Sequence, residues 1–530
     1  MSDNSTSNLL IPVGTIGGKF DNDDPDYVFA PDLYLGLALA YDTMAAPNAK
    51  RDSDGIWESD YTDMQSRLAL RWEEQENGDW IVWLRPGVIS NRGHEFNAAD
   101  LQWVLEKAFA HSTLSSWRWR DVTGVKKVEI IDRHCLRYCL RAPYPTFPNW
   151  LLSLAPNVVD STAIRENITP DDPWGIKWLN GHVAGYGAYD LARADAESIL
   201  FTRRSDYWRG LPDAASIEVR KVADRPTALR LLSEKRPTVV VGADPDEAVS
   251  LLRRDDLTLQ RTWAGHVSIE INFTHPQLSD KRVRHALAFA TPYAGLIADG
   301  LLGQARPWRS PVKSFSQWYS DAGNRYGYDL AKARDLLKEA GFGTGLELDF
   351  YLERRADCER MADIIARTWS EIGIQLTFKD AADAPRGWLP PLYLRTECAH
   401  NLSEPIYDII HDYAAMDPIF PAPGGPPNVG TWTPRWEKNE EAIIAIIALL
   451  EEKDRQRKRQ RFDELQKWLI DFSSSIFIAE GQQVMAANRG VPASLIAPDS
   501  RFYHAMQYQN ATSNYLPKRS PRRPGPGKWW

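Results

Sequence analysis

The spacing of apolar and polar residues alternates along the chain between strand-like and helix-like patterns. Residues 79–88 form a short run rich in Trp, Val and Leu that stops at Pro86 and Gly87, which predicts a strand followed by a turn. Asn97 then provides an N-cap, and the apolar residues of 101–109 recur at helical spacing. A strand and a helix are therefore predicted in succession.

The same alternation continues through the chain and favours an α/β protein with mixed sheets. The predicted strands are two within 125–140, two within 196–222, and one each at 238–242, 346–352 and 374–378. The predicted helices are 227–232, 281–303, 329–340 with Gly341 as its C-terminal cap, 359–372, and the long amphipathic segment 440–472. Within that last segment we interpret the charged run 451–455 as a solvated face.

Composition limits the class of protein. A chain of 530 residues suggests about three domains. The net charge of -8 argues against a nucleic-acid surface as the main partner. The longest apolar run, 442–450, is too short for a membrane span. The 21 Trp, 20 Tyr and 17 Phe are consistent with core packing, and they are also compatible with an aromatic-lined pocket.

Motifs for catalysis, metals and cofactors are not found. The four cysteines include Cys135 and Cys139, which are too far apart along a strand to form a disulfide, and no zinc spacing occurs. His266, His275 and His285 are spread over different local structures and are expected to be surface or core residues. We therefore expect no catalytic residue, no metal site and no cofactor, and we interpret the chain as not an enzyme.

The two ends of the sequence carry separate signals. Residues 1–8 are polar and show no signal peptide, which fits either a trimmed sequence or a cytoplasmic protein. Residues 516–530 form a basic, proline-rich tail that we expect to be disordered.

Six segments, in a consistent order, carry a resemblance to a known family. The segments are Leu68–Asp100 with its Leu-Arg-Pro-Gly-Val run, 125–145, Gly185–Gly210, Ile271–Leu287, Tyr328–Phe342 and 453–491. Together they resemble the extracytoplasmic solute-binding proteins of ABC transporters, family 5, which is the oligopeptide- and dipeptide-binding class. Two departures stand out: Tyr186 and Ala188 replace the usual Thr and Pro, and the segment 378–412 is rich in proline.

The resemblance implies a two-lobed, periplasmic-binding-protein-like clamshell of α/β class, with an extra domain in the first lobe. We expect the first lobe to comprise 9–37, 165–269 and 485–515, the extra domain 38–164, and the second lobe 270–484. The crossing points near Asn272 and Met485 would form the hinge, and closure would trap a ligand between the lobes.

The resemblance also implies binding residues. Asp412 is the best match to the aspartate that holds the ligand's amino group in peptide binders, although a loop or capping role is left open. Tyr413 and Trp432 are candidate aromatic walls, and Arg395 could meet a carboxylate. Asn272 could offer polar contacts in the cleft, and Trp117 lies near a segment that borders the pocket in relatives.

The function implied is capture of a peptide or other small solute for ABC-type import, with a permease as partner and a monomer as the expected state. The resemblance places such a protein in the periplasm or otherwise outside the cytoplasm. The absence of a visible signal leaves an alternative: a cytoplasmic relative that serves as an enzyme or accessory protein of a small-molecule pathway. A ligand-sensing regulator is less favoured, because no DNA-binding segment precedes residue 30. The sequence does not name the ligand.

Overall fold

The computed structural model describes residues 7–13, 38–110, 119, 123–149, 158–179, 181–383, 390–397, 405–406, 409 and 440–497. The strands are β1 Ser7–Val13, β2 Ala45–Arg51, β3 Trp57–Ser66, β4 Ala69–Glu74, β5 Trp80–Leu84, β6 Val125–Asp132, β7 Cys135–Leu140, β8 Tyr189–Ala194, β9 Ser198–Arg203, β10 Ala214–Lys221, β11 Val239–Val241, β12 Leu257–Ile271, β13 Ala305–Pro307, β14 Leu346–Leu352, β15 Ile374–Asp380, β16 Leu392–Glu397 and β17 Ser475–Asn488.

Helices lie between these strands. They are α1 Ala98–Ala110, α2 Ser161–Arg165, α3 Ile176–Leu179, α4 Arg225–Leu231, α5 Pro245–Leu251, α6 Lys281–Ala290, α7 Tyr293–Gly295, α8 Leu330–Glu339, α9 Ala356–Ser370, α10 Glu440–Glu451 and α11 Arg455–Phe472. A π-helical turn, Leu296–Gly300, follows α7.

The strands described here form three sheets. One has the order β1-β10-β9-β8, with β1 parallel to β10. A second, small sheet has the order β4-β5-β7-β6 and is antiparallel. The third and largest follows the order β11-β17-β12-β16-β14-β15, with β13 attached to β17 and the β2–β3 hairpin attached to β12. Parallel and antiparallel pairs coexist in it, so the predicted mixed α/β organisation is confirmed.

The long antiparallel pair β12–β17 connects separate parts of the fold. At one end, β17 pairs with β11, whose Val239–Val241 are buried in cores that also hold Leu9 and Leu251. At the other end, β12 pairs with β16, and the sheet is covered by α6 and α9 through residues such as Ile269. The two strands therefore run from one body of packed residues into another.

The loop that contains Gly185 and Gly187 packs closely on residues 39–41. A Cβ atom at Gly185 would lie 2.4 Å from the Ala40 carbonyl oxygen, and one at Gly187 would lie 2.5 Å from the Leu39 carbonyl oxygen. Tyr186, at the position where the family usually has Thr, is fully buried and donates to Asp100 at 3.0 Å. The departure from the family pattern thus supplies a hydroxyl partner for a buried carboxylate.

Two predicted helices are interrupted. The segment 281–303 ends its first helix at Ala290, because Thr291 is extended before Pro292 and the proline cannot continue the hydrogen-bond ladder. The segment 440–472 is two helices, since Asp454 takes an extended conformation and caps α11 through the Arg457 amide.

The charged run 451–455 is not wholly a solvated face. The Glu452 side chain is only 8% exposed and accepts hydrogen bonds from Arg457 and Arg461, each at 3.0 Å. The break between the helices therefore places a carboxylate where two guanidinium groups of the next helix reach it.

The small sheet also contacts α11. Arg455 forms an ion pair with Glu74 at 2.9 Å, and buried Lys458 donates a hydrogen bond to the Pro143 carbonyl at 2.6 Å. These contacts join the β4–β7 sheet to the part of the molecule that follows β16.

Candidate interlobe site

The middle of the β12–β17 pair is irregular. The pairing register shifts between Trp263 and Gly265 and again between Val267 and Ser268. Such bulges bend a strand and increase its twist. The first shift lies between the part of β12 that pairs with β3 at Thr262 and the part that pairs with β16 from His266 onward, and the second shift lies within that latter part. This irregular stretch lies in β12 shortly before Asn272, one of the two crossing points where the hinge is predicted.

A network of charged residues crosses this stretch. Arg306 in β13 donates to Glu480 in β17 at 2.7 Å, and its terminal nitrogens lie 3.3 and 3.5 Å from Glu58 in β3. The Ser314 amide and hydroxyl also donate to Glu480, at 2.6 and 2.5 Å. The Glu480 side chain is only 2% exposed, so these donors replace the water it has lost. We call Arg306, Glu480, Glu58 and Ser314 the crossover network.

Trp263 connects the crossover network to the turn of the β2–β3 hairpin. Its indole N–H donates to Asp52 at 2.5 Å, and the Arg306 guanidinium lies 4.6 Å from the centre of its ring. Burial opposes ionisation of Asp52, but hydrogen bonds from Trp263 and from the amides of Ile56 and Asp54 lower its pKa overall. The hairpin is thereby fixed to β12 by an ionised carboxylate.

Aromatic rings line the neighbouring part of the crossover. The His266 ring lies 4.8 Å from Trp308, and Trp308 makes an edge contact with Phe477 at 4.9 Å. The Trp308 indole donates to the Val312 carbonyl at 2.9 Å. His266 thus lies buried in an aromatic cluster, which is the core alternative of the prediction that it is a surface or core residue.

Arg395 and Asn272 are the predicted binding residues that the structure describes. Arg395 is buried in β16 opposite Ser268 of β12, and the next pair on the same sheet face is Tyr393 with Glu270. Glu270 accepts the Ser268 hydroxyl at 2.7 Å. Arg395 therefore shares a sheet face with a buried carboxylate.

Asn272 follows the end of β12. Its side-chain oxygen accepts from the Thr274 amide at 3.1 Å and from the Thr274 hydroxyl at 2.7 Å, and its backbone amide donates to the Pro391 carbonyl at 3.0 Å. The carboxamide oxygen thus closes a turn at the crossing point. Asp412, Tyr413, Trp432 and Trp117 lie outside the described residues and stay predictions.

The crossover network and its link to the β2–β3 hairpin were not predicted from the sequence. Glu58, Arg306, Ser314 and Glu480, together with Asp52 and Trp263, come from separate segments of the chain and belong to no shared motif. The pairing of β12 with β17 and of β13 with β17 brings them together. No local signal in the sequence predicts that arrangement.

One serine–histidine–aspartate constellation bears on enzymatic activity. Ser90 donates to Asp160 at 2.5 Å, and the His94 Nδ1 atom lies 2.9 Å from the same Asp160 oxygen. In a hydrolytic triad the histidine lies between the serine and the aspartate. Here both residues bond the carboxylate, which also caps α2 through the Ala163 amide. The geometry is that of a structural anchor.

The cysteine thiols are further candidate reactive groups. Cys135, Cys139 and Cys358 are free and buried, and burial raises the pKa of each thiol. Among the described residues, no three His, Cys, Asp or Glu side chains are placed to hold a metal ion. Within the same part of the chain, no helix is long and apolar enough to cross a membrane.

Comparison with known proteins identifies the family. The model of the bacterial extracellular solute-binding proteins, family 5 (middle region), matches residues 63–403. The chain belongs to this family. The solute-binding protein is 25% identical over 479 residues to the glutathione-binding protein GsiB of Pectobacterium atrosepticum, covering 87% of this chain and 89% of that relative.

Solved structures share the fold. The solute-binding protein matches CtaP, an ABC transporter substrate-binding protein of Listeria monocytogenes, with a TM-score of 0.76 and 17% identity over 96% of this chain and 99% of that one. It matches the Helicobacter pylori periplasmic binding protein DppA, in complex with the peptide STSA, with a TM-score of 0.72 and 16% identity over 94% and 98%. The predicted two-lobed clamshell is confirmed.

The general function follows from family membership. Family 5 proteins bind peptides or other small solutes and work with ABC permeases, and this chain is a solute-binding protein of that kind. Its relatives are binding proteins rather than enzymes, and nothing in the comparisons favours the enzyme alternative.

Proposed function

We propose that the protein captures a short peptide or peptide-like solute between its two lobes, outside the cytoplasm, and delivers it as a monomer to an ABC permease. The observation that carries this proposal is the β12–β17 crossover, whose bulged middle connects two separately packed bodies. Two bodies joined by a bent connection can close on a ligand and exclude water.

The proposed lobes follow the sheets. The first lobe, 9–37, 165–269 and 485–515, would contain the sheet β1-β10-β9-β8 together with β11. The extra domain, 38–164, would contain the small sheet and the β2–β3 hairpin, and the second lobe, 270–484, would contain β14, β15 and β16. The division is supported by the sheet orders, because β12 and β17 are the strands that pass from one proposed lobe to the other.

The proposed ligand class is peptide-like for two reasons. The relative from Pectobacterium atrosepticum is a glutathione-binding protein, and the matched structure from Helicobacter pylori holds a four-residue peptide. A ligand with one amino group and one or more carboxylates also suits the proposed binding residues. Asp412 would hold the amino group, and Arg395 would meet a carboxylate in two parallel hydrogen bonds.

The remaining predicted residues would shape the pocket. Tyr413 and Trp432 would provide aromatic surfaces, Trp117 would contribute from the extra domain, and Asn272 would act at the crossing point. In a closed, water-poor cleft these contacts would gain strength from the low local dielectric.

The decisive experiment is a binding screen by thermal unfolding and calorimetry. Reduced glutathione, oxidised glutathione, di- to pentapeptides, amines and oligosaccharides would be compared. A ligand at about a hundredfold over its dissociation constant adds about 2.7 kcal/mol to the free energy of unfolding. Stabilisation by glutathione or peptides supports the proposal. Stabilisation only by oligosaccharides contradicts the ligand class.

Two variants test the binding residues. D412N is expected to weaken a ligand with a free amino group more than its N-acetylated form, and R395Q is expected to weaken ligands with a free carboxylate. R193Q is the matched control, because Arg193 lies in β8 with its side chain 58% exposed. If R395Q and R193Q bind the same peptide equally well, Arg395 does not belong to the site.

A further inference from the structure

An ion pair connects the two proposed lobes away from the crossover strands. The terminal nitrogens of Arg360 in α9 donate to the two carboxylate oxygens of Asp246 in α5, at 3.0 and 2.9 Å. Two parallel hydrogen bonds between a guanidinium and a carboxylate fix both distance and orientation. Asp246 belongs to the proposed first lobe and Arg360 to the proposed second lobe, so the pair crosses between them.

Asp246 is held on a rigid support. It lies in the first turn of α5, which begins directly after β11 and is capped by Asp244 through the Glu247 amide at 2.8 Å. Arg225 of α4 donates to Glu247 at 2.9 Å and to the Val241 carbonyl at 2.8 Å. The end of β11 and the start of α5 are thereby fixed to each other.

Arg360 is oriented by a second contact within its own lobe. Its guanidinium also donates to the Gly300 carbonyl, at 3.3 and 3.1 Å. Gly300 packs so closely on α9 that a Cβ atom there would lie 2.6 Å from the Met361 Cγ atom. The π-helical turn that ends at Gly300 therefore positions the guanidinium that faces Asp246.

The location of the pair places it near the cleft. The helix α5 starts at the carboxyl end of β11, and α9 starts shortly after the carboxyl end of β14. In open α/β sheets, ligands bind in the crevice outside the carboxyl ends of the strands. The pair thus joins the carboxyl end of β11 to that of β14, and these two ends would face each other across a ligand. It is separate from the crossover network, which contains Arg306 and Glu480.

We propose that Arg360 and Asp246 form an interlobe clasp that sets how much of the ligand-free protein is closed. The side chains are 31% and 45% exposed, so the clasp is weak enough to open and is sensitive to salt. Apparent affinity scales with the fraction of protein in the binding-competent state. The clasp thereby tunes ligand affinity without touching the ligand, an inference that depends on the proposed two-lobed function.

The test measures lobe separation in the ligand-free protein. Spin labels are placed on D255C in the first lobe and K338C in the second, both at exposed positions, with the four native cysteines replaced by alanine. R360Q and D246N are each expected to lower the ratio of closed to open protein about two- to fivefold, the range for a partly exposed pair. The charge-exchanged double variant, R360D with D246R, is expected to restore it.

The controls separate the clasp from other effects. R354Q removes a neighbouring arginine whose ion pairs, at 3.9 and 3.8 Å, lie within the second lobe, and it is expected to leave the distances unchanged. Raising the salt concentration is expected to shift the label distances of the unmodified protein toward those of R360Q. Unchanged distances in R360Q and D246N, or no recovery in the exchanged double variant, would overturn the clasp. Failure of glutathione and peptides to bind would instead count against the proposed function, since the distances are measured without ligand.

Discussion

Replacing Arg306 with methionine is expected to destabilise the protein at the crossover. Methionine keeps most of the apolar stem but removes the guanidinium, which donates to Glu480 at 2.7 Å and to the Ser314 hydroxyl at 2.6 Å. Glu480 is then left with the two donors of Ser314 in a site where its side chain is 2% exposed. The buried carboxylate loses its cationic partner.

The magnitude follows from the individual contacts. A hydrogen bond to a charged group contributes about 1.5–3 kcal/mol. The stacking of the guanidinium on Trp263 adds about 0.5–1 kcal/mol, and the longer contact with partly exposed Glu58 adds at most about 1 kcal/mol. We expect R306M to lower the free energy of unfolding by about 2–4 kcal/mol, since the contacts overlap and Arg306 itself is 24% exposed.

Urea unfolding followed by circular dichroism measures this loss. The matched control is R354M, because the Arg354 side chain is 53% exposed and its ion pairs are long, so its effect should stay below about 0.5 kcal/mol. The double variant R306M with E480Q should be more stable than R306M, since it no longer leaves an uncompensated buried charge. Equal midpoints for R306M and R354M would refute the reasoning.

Three further changes have defined outcomes. R284M should cost about 3–5 kcal/mol, because the buried Arg284 guanidinium donates to the Phe472 carbonyl and two others, and a hydrogen bond to a charged group contributes about 1.5–3 kcal/mol. Burial lowers the pKa of Arg284 to about 10. G185A should cost about 1–3 kcal/mol, because its Cβ would lie 2.4 Å from the Ala40 oxygen. Burial opposes ionisation of Glu218, but two arginines lower its pKa overall. E218Q should therefore be less stable than the unmodified protein at pH 7. The difference between the two proteins should disappear as the pH falls from 4.5 through the lowered pKa.

Matched variants test these three outcomes. K281M removes a neighbouring cation that is 50% exposed and should cost less than about 1 kcal/mol. G295A adds a Cβ atom into open space and should be close to neutral. The Glu197 carboxylate is 75% exposed, so E197Q should have the same free energy of unfolding by urea as the unmodified protein, both at pH 7 and below the pKa of Glu218. Each prediction fails if its variant and its control shift the unfolding midpoint equally.

Much of the local structure could be predicted from the sequence, because its signals are local. The strand β5 ends before Pro86 and Gly87, and α8 ends before Gly341, whose φ of +87° suits glycine. Asn97 accepts from the Ala99 amide at 2.9 Å, as an N-cap does. Turns, caps and apolar spacing act over a few residues, and they set these boundaries directly.

The breaks in the predicted helices 281–303 and 440–472 were missed, because the residues that end or cap a helix lie within stretches whose spacing predicts a continuous helix. Asp454 sits within a charged run that resembles a solvated helix face, yet its side chain caps α11. Thr291 and Pro292 interrupt an Ala- and Leu-rich stretch whose apolar spacing otherwise continues. In each case a single residue with an alternative backbone preference outweighed the surrounding periodicity.

The candidate site was predicted less well for a different reason. Family resemblance indicated the crossing strands and Arg395, but the crossover network and the interlobe clasp depend on residues from distant segments. Arg360 and Asp246 lie in separate helices with ordinary sequences, and only the arrangement of the sheets brings them within hydrogen-bonding distance. Contacts of this kind follow from topology.

The pairing of β11 with β17 has a consequence for how the chain acquires its structure. This pairing sets Val239 beside Ala487, so the sheet at that end of the molecule is incomplete until nearly the whole chain has been synthesised. Pairings between such distant segments form slowly, because a long stretch of chain must first be brought together. A nascent chain therefore lacks its final sheet until its translation is almost complete.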